Sequence, residues 1–252
     1  MKIAVCVKQV PEGGHRRIDP SSMRLDRSGE GALNHFDANA VEEALRLKDA
    51  TGDGEVVLVS MGPEKAADAL RKSLAMGGDR AVLVSDEAAA GSDLVATSRV
   101  LAAALEREQA DLILFGQQAD DSDGAVLWAA VAERLRAPVV SQVAELTLGE
   151  GKVTGKRQTE FGYDVIEAPL PVVVAVSDAI NEPRYPSLKG IMGAKKKPFD
   201  TVTLSELGVE ADSRTTVLAL ADPPSKGDAR RIEDDGNAAQ AIVEFLAEKR
   251  LI

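Results

Sequence analysis

Asp111-Leu-Ile-Leu-Phe-Gly-Gln-Gln-Ala-Asp-Asp-Ser-Asp-Gly-Ala125 runs from a short apolar stretch through an acidic, glycine-bounded loop, and a helical pattern from Ala125 to Leu135 follows at once. A strand apolar on both faces belongs inside a parallel sheet covered on both sides, and strand, loop, helix is the repeating unit of such a sheet. Working outward, the same unit recurs. Lys2 to Val7, Val56 to Ser60 and Arg80 to Val84 are strand-like, each followed by a loop, with helices between them. One helix carries Ala40, Val41, Ala44, Leu45 and Leu47 behind Asp37 as N-cap. The second carries Ala66, Leu70 and Leu74 and stops at Gly77-Gly78, and the third carries Leu94, Leu101 and Leu105 behind Ser92-Asp93. Pro138 to Val143 and Leu170 to Val176 are apolar enough for further strands, and Thr147 to Val153 has the pattern of a hairpin turn in an antiparallel edge. The expectation is an α/β fold with a doubly wound, mostly parallel sheet, an antiparallel edge and an extended C-terminal arm. The domain is expected to span 1–180, with a separate segment at 181–198 and the arm at 199–252. In that arm Leu220 to Ala229 has linker composition and precedes an amphipathic helix with Ala238, Ala241, Ile242, Phe245 and Leu246 on one side.

Composition narrows the function. The 252 residues carry a formal charge of -11 and are 44% hydrophobic, which suits a globular chain with a substantial core and argues against nucleic acid as a partner. No apolar run approaches the roughly 20 residues that span a bilayer, and the opening residues enter a strand pattern without a signal-peptide layout. The expectation is a cytoplasmic protein with no membrane insertion. One cysteine and two histidines, His15 and His35, form no zinc spacing. Cys6 reads as a buried apolar residue, and Trp128 as part of the core. The acid pairs Glu42-Glu43 and Asp234-Asp235 read as solvated faces.

Ligands of a doubly wound sheet lie beyond the carboxyl ends of its strands, so the loops Lys8 to Gly14, Met61 to Pro63 and Gly116 to Asp123 and the turn Leu33 to Asp37 are the places to search. Neither G-x-G-x-x-G nor G-x-x-x-x-G-K-[ST] occurs. The start of the helix after Gly124 offers backbone N–H groups to an anion, but three carboxylates, Asp120, Asp121 and Asp123, precede it. Asp123 reads equally well as the helix cap or as a ligand contact. Nothing pairs His15 with a nucleophile, so no catalytic residue is expected, and redox chemistry would have to come from a bound cofactor.

A second segment, Asn181 to Pro198, differs in kind. From Arg184 to Lys197 it holds five cations and no acid, in a chain that is otherwise acidic. Its prolines and glycines predict an irregular loop rather than a continuous helix, so Leu188, Ile191 and Met192 read as the apolar tips of a docking surface and not as one amphipathic face.

This segment, with Asn181-Glu-Pro-Arg184 and Ala194-Lys-Lys-Lys197, resembles the recognition loop of electron-transfer flavoprotein beta subunits. Val5 to Pro11, Ala40 to Lys48, Leu74 to Arg80, Gly155 to Glu160 and Leu170 to Val174 resemble the same family, and the likeness covers about residues 1–209. It implies an adenine-nucleotide alpha-hydrolase-like layout and pairing with an alpha subunit that holds most of the FAD. It also implies electron traffic between acyl-CoA or related dehydrogenases and a quinone reductase. An AMP site would use Cys6, Asn34, His35, Phe36, Asp37, Met61, Gly116, Gln118, Asp121, Asp123, Gly124, Ala125, Val126 and Leu127, with Phe36 toward the flavin. Dehydrogenases would meet Tyr185, Leu188, Lys189, Ile191 and Met192. Two positions depart from the family pattern: Gly124 to Trp128 lacks the hydroxyls many members carry there, and Gly13 replaces an aromatic. AMP, a second FAD as in electron-bifurcating members, or no ligand therefore stay open. A stand-alone nucleotide-binding α/β protein and a ligand-free scaffold are the competing readings.

Overall fold

The computed structural model describes residues 1–252 except 14–16, 223, 226–230, 233 and 235. His15, Pro223 and Asp235 lie outside the described residues, as does half of the expected linker.

In chain order the strands are β1 (Lys2–Cys6), β2 (Gln9–Pro11), β3 (Ile18–Asp19), β4 (Arg24–Leu25), β5 (Gly31–Leu33), β6 (Glu55–Met61), β7 (Arg80–Val84), β8 (Leu112–Gly116), β9 (Val139–Gly149), β10 (Lys152–Thr159), β11 (Gly162–Pro169), β12 (Val172–Val176) and β13 (Phe199–Val202). The α-helices are α1 (His35–Thr51), α2 (Ala67–Met76), α3 (Leu94–Glu108), α4 (Leu127–Leu135), α5 (Leu188–Ala194), α6 (Leu204–Leu207) and α7 (Ala238–Glu248). The main sheet runs β11-β10-β9-β12-β8-β1-β6-β7-β13. Its pairs are parallel from β9 to β13, and β10 and β11 add the expected antiparallel edge.

Alternation along the strands fills two cores. Ile3, Val5, Val56 and Leu58 face α1 and α2, whereas Ala4, Cys6, Val57 and Val59 face α3 and α4. Cys6 and Trp128 pack with the second core as expected.

Several expectations are corrected. Asn34, not Asp37, takes the N-cap of α1, and it makes no side-chain capping bond because its amide reaches another loop. Leu94 is 39% exposed, so the buried stripe of α3 is Val100, Leu101, Ala104 and Leu105. Glu42 and Glu43 are not solvated: both are buried, because cations and amides of the segment after residue 180 close over them. Residues 188–194 form a short helix rather than a loop, since Ser187 caps it by accepting from the Gly190 N–H and Pro186 lies before the first turn. Phe199–Val202 joins the sheet beside β7, and the compact unit runs from Met1 to Val217. The second unit, Leu218–Ile252, contains α7, whose residues are all at least partly exposed.

Gly116 ends β8 where α1 begins. A Cβ there would lie 2.5 Å from the Phe36 carbonyl carbon and 2.7 Å from the Asp37 nitrogen, both backbone atoms with little freedom to move. Gly116→Ala is expected to destabilise the fold by roughly 1–3 kcal/mol or more through overpacking. Thermal or denaturant unfolding checks this, and a variant as stable as the parent would mean that the β8–α1 junction is loose.

Candidate functional site

The chain leaves β1 toward β6 and β7 on one side, and β8 and β12 lie on the other, so strand order reverses between β1 and β8. A crevice opens at the carboxyl ends of such a pair. Three pieces of chain meet there: Val7 and Lys8 after β1, the start of α1, and residues 117–126 between β8 and α4.

Asn34 joins them. It is fully buried, its Nδ2 donates to the Gln118 carbonyl at 2.8 Å, its Oδ1 accepts from the Asp120 N–H at 3.0 Å, and its own N–H donates to the Lys8 carbonyl at 3.0 Å. Trp128 Nε1 donates to the Gln117 carbonyl at 3.1 Å, which ties the loop to the helix that follows. Asp37, also buried, accepts from the Lys8 N–H at 2.8 Å. Burial pushes its carboxyl up to about 7, against the Asn34 side chain and the Lys8 and Gly116 backbone groups, which hold it down. Burial, reinforced by the nearby Asp37 charge, raises the Cys6 thiol well above its ordinary value, so it stays a neutral part of the core.

Each of the three loop carboxylates has a partner within the protein. Asp120 meets His35, with Nδ1 to Oδ1 at 3.3 Å and the His35 N–H donating to Oδ2 at 3.2 Å. Asp121 is almost enclosed and accepts from Lys8 Nζ at 2.7 Å and Arg27 Nη2 at 2.5 Å. Burial pushes Asp121 up, but the hydrogen bonds and charges of Lys8 and Arg27 outweigh it and hold the carboxyl below the usual range. Asp123 accepts from Gln118 Nε2 at 3.2 Å and does not cap α4. Val126 is the N-cap and offers no side-chain bond, so the first amides of α4 have no side-chain acceptor. Beside them Gly124 is exposed with open space where a Cβ would stand, and Asp123 and Ala125 have left-handed φ of 46° and 41°. An anion therefore fits here by backbone contacts alone, with the nearby carboxylates already paired.

The structure thus brings Asn34, His35, Phe36, Asp37, Gly116, Gln118, Asp121, Asp123, Gly124, Ala125, Val126 and Leu127 to one end of the sheet. Cys6 lies at the end of β1 and Met61 at the end of the adjacent β6. Asp121 serves as an internal strut. Lys8 and Arg27 are the contributors that sequence reading missed. Lys8 sat in a motif noted for its family likeness, whereas Arg27 follows the minor strands β3 and β4 and carried no signal.

The second cluster lies on α5. Tyr185, Leu188, Ile191 and Met192 are 93%, 79%, 54% and 70% exposed, and Lys189 is exposed beside them. The helix is held from below. Ala194 is buried, its carbonyl accepts from Arg71 Nη1 at 3.0 Å, and a Cβ on Gly190 would strike the Ala75 carbonyl of α2. Of the five cations, Arg184 binds Glu42 and Lys197 Nζ donates to the Leu74 carbonyl at 2.9 Å, which leaves Lys189, Lys195 and Lys196 exposed around the apolar residues.

A family model for the electron transfer flavoprotein domain matches residues 22–207. The electron transfer flavoprotein subunit beta of Mycobacterium tuberculosis is 38% identical, with 99% of each chain covered. The chain belongs to the electron transfer flavoprotein beta subunit family. The beta subunit of Megasphaera elsdenii is 38% identical over 99% of this chain and 97% of its own, and a caffeyl-CoA reductase-Etf complex subunit of Acetobacterium woodii is 39% identical over the whole of both. Electron transfer is the role of this beta subunit family. Among the described residues no group of His, Cys, Asp and Glu could hold a metal, and no helix is long and apolar enough to cross a membrane.

The raised Asp37 carboxyl has a consequence for stability. The folded chain keeps this proton at pH values where the unfolded chain has lost it, so Asp37 makes stability fall as pH rises from about 4 to about 7, after which its effect levels off. A shift of that size corresponds to about 4 kcal/mol across the window. Asp37→Asn is expected to flatten this part of the curve. Denaturant unfolding of both proteins at a series of pH values measures it, and parallel curves would show that Asp37 is already ionised at pH 4.

Proposed function

We propose that this beta subunit pairs in the cytoplasm with an electron-transfer flavoprotein alpha subunit holding most of the FAD. It binds AMP structurally in the crevice between β1 and β8. It docks acyl-CoA or related dehydrogenases through Tyr185, Leu188, Lys189, Ile191 and Met192, so that electrons pass on to a quinone reductase. The chain supplies no catalytic side chain: FAD, when bound, carries the electrons. The observation that carries the reading is the short helix α5, mounted rigidly on α2 with its apolar residues turned outward and lysines around them.

In the crevice, the backbone beside Cys6 and Met61 and the Asn34–Asp37 turn would line the nucleotide, and the amides of Gly124 to Leu127 would take its phosphate. An amide-rich helix end favours an anion by roughly 0.3–1 kcal/mol when exposed and up to about 2 kcal/mol when partly buried. Phe36 is partly buried at the mouth of this crevice, where it would stand toward the flavin of the partner subunit.

A second reading follows from the relative in Acetobacterium woodii, named as a subunit of a reductase-Etf complex. On that reading the crevice holds a second FAD and the complex bifurcates electrons. The ligands of the complex purified with its alpha subunit separate the two readings: one FAD with one AMP supports ours, two FAD supports the alternative, and a complex free of flavin defeats both. Gly124→Pro, which removes one phosphate-facing amide, is expected to lower the AMP content, and full retention would place the nucleotide elsewhere.

For docking, a leucine that fills a partner's pocket is worth about 1.5–3 kcal/mol, and a few such anchors dominate an interface. Leu188→Ala is expected to weaken the apparent affinity for an acyl-CoA dehydrogenase roughly ten-fold or more, with flavin content unchanged. Steady-state electron transfer at several salt concentrations measures it, and equal affinities in the two proteins would remove α5 from the interface.

A further inference from the structure

Glu42 and Glu43 sit in the middle of α1, two turns beyond the residues that α1 contributes to the crevice. Neither faces water, and neither belongs to the nucleotide site. Their partners from elsewhere in the chain all lie just before the docking helix. Glu42 Oε2 accepts from the Arg184 N–H at 3.1 Å and from its Nε at 2.7 Å, and Oε1 accepts from its Nη2 at 3.2 Å. Arg46 Nε adds a fourth bond to Oε1 at 3.0 Å, and Arg184 Nη2 also donates to Asp49 Oδ2 at 3.1 Å. Glu43 Oε2 accepts from Asn181 Nδ2 at 3.0 Å, while Asn39 Nδ2 donates to the Asn181 carbonyl at 2.7 Å.

This is a two-point attachment. Asn181 is held by Asn39 and Glu43, and Arg184 by Glu42 and, nearer the end of the same helix, Asp49, so the chain entering α5 is pinned in both position and direction. Pro183 and Pro186 restrict the backbone on either side of Arg184. A buried carboxylate clasped by a planar guanidinium fork is a demanding geometry whose best-supported use is to specify one arrangement over its neighbours. Beyond Arg184 the chain has only three residues before Leu188, so a shift at Arg184 is passed on to the apolar face that meets a partner.

The geometry points to Glu42 as a positioning residue for partner docking: by clasping Arg184 it sets how α5 presents Leu188 and Met192. Because the same helix begins at Asn34 in the crevice, the docking helix and the nucleotide site share one rigid support. The inference rests on the docking role of α5 proposed above.

The test uses the complex with the alpha subunit and measures electron transfer from an acyl-CoA dehydrogenase. Glu42→Gln keeps the side chain's shape but removes its charge, and Arg184→Gln removes the other half of the pair. Each is expected to raise the apparent KM for the complex roughly three- to ten-fold, with kcat and FAD content retained, and the double variant is expected to be no worse than the poorer single, because both break the same interaction. Leu188→Ala serves as the reference. If it raises KM while Glu42→Gln does not, the clasp is ordinary packing and the inference fails although the docking reading stands. If neither raises KM, the docking reading falls and takes the inference with it. A rise in KM with matching loss of FAD or kcat also overturns it, since that marks general damage. Should Glu42→Gln fail to fold, Arg184→Lys keeps the charge but loses the planar fork, and an unchanged KM in that variant overturns the inference.

Discussion

Reversal of strand order between β1 and β8 is the constraint on which the rest of the structure depends. Two parallel neighbours whose connections depart in opposite directions leave their carboxyl ends uncovered. The chain fills this gap with Asn34, a fully buried amide whose donor and acceptor are both used by the loop after β8. A buried amide tolerates no slack, because an unmade bond there carries the full desolvation cost of its polar group. The loop between β8 and α4 is therefore held in one shape although it has no regular structure, and Gly116 lets it approach the start of α1 closely.

That one shape resolves an electrostatic conflict. A phosphate-sized anion and three carboxylates within four residues would repel each other if all faced the same space. Instead Asp120 turns to His35, Asp121 to Lys8 and Arg27, and Asp123 to Gln118. The end of α4 is left with its amides and without a capping side chain. The carboxylates of the acidic loop thus bind cations and amides at its sides, and the proposed phosphate position is left without a free acid beside it.

α1 serves two surfaces. Its first turn lines the crevice and its middle turns hold Asn181 and Arg184, so a strongly acidic helix face is neutralised by the basic segment that follows β12. This accounts for two of the basic segment's features at once. Arg184 and Lys197, at either end, are structural anchors, and the remaining lysines stand exposed around an apolar patch raised on a short helix.

Much of this architecture was legible in the amino-acid order. The βαβ rhythm, the antiparallel edge, the helix stripes and the loops at the carboxyl ends of the strands follow from local periodicity and turn chemistry, because the burial of a strand or helix face is written in spacings of two to four residues. The exposure of Leu188, Ile191 and Met192 was legible too, since prolines and lysines around apolar residues rarely belong to a core. The short helix was not, because seven residues with two glycines carry little propensity and form only when capped by Ser187 and seated on α2. Nor were the pairings of Lys8 and Arg27 with Asp121 or of Glu42 with Arg184, which join positions 113, 94 and 142 residues apart. No local pattern encodes such pairs. They exist because crossover connections and strand register bring distant loops to the same edge, and the charge of a side chain then finds its partner only after the backbone has placed both.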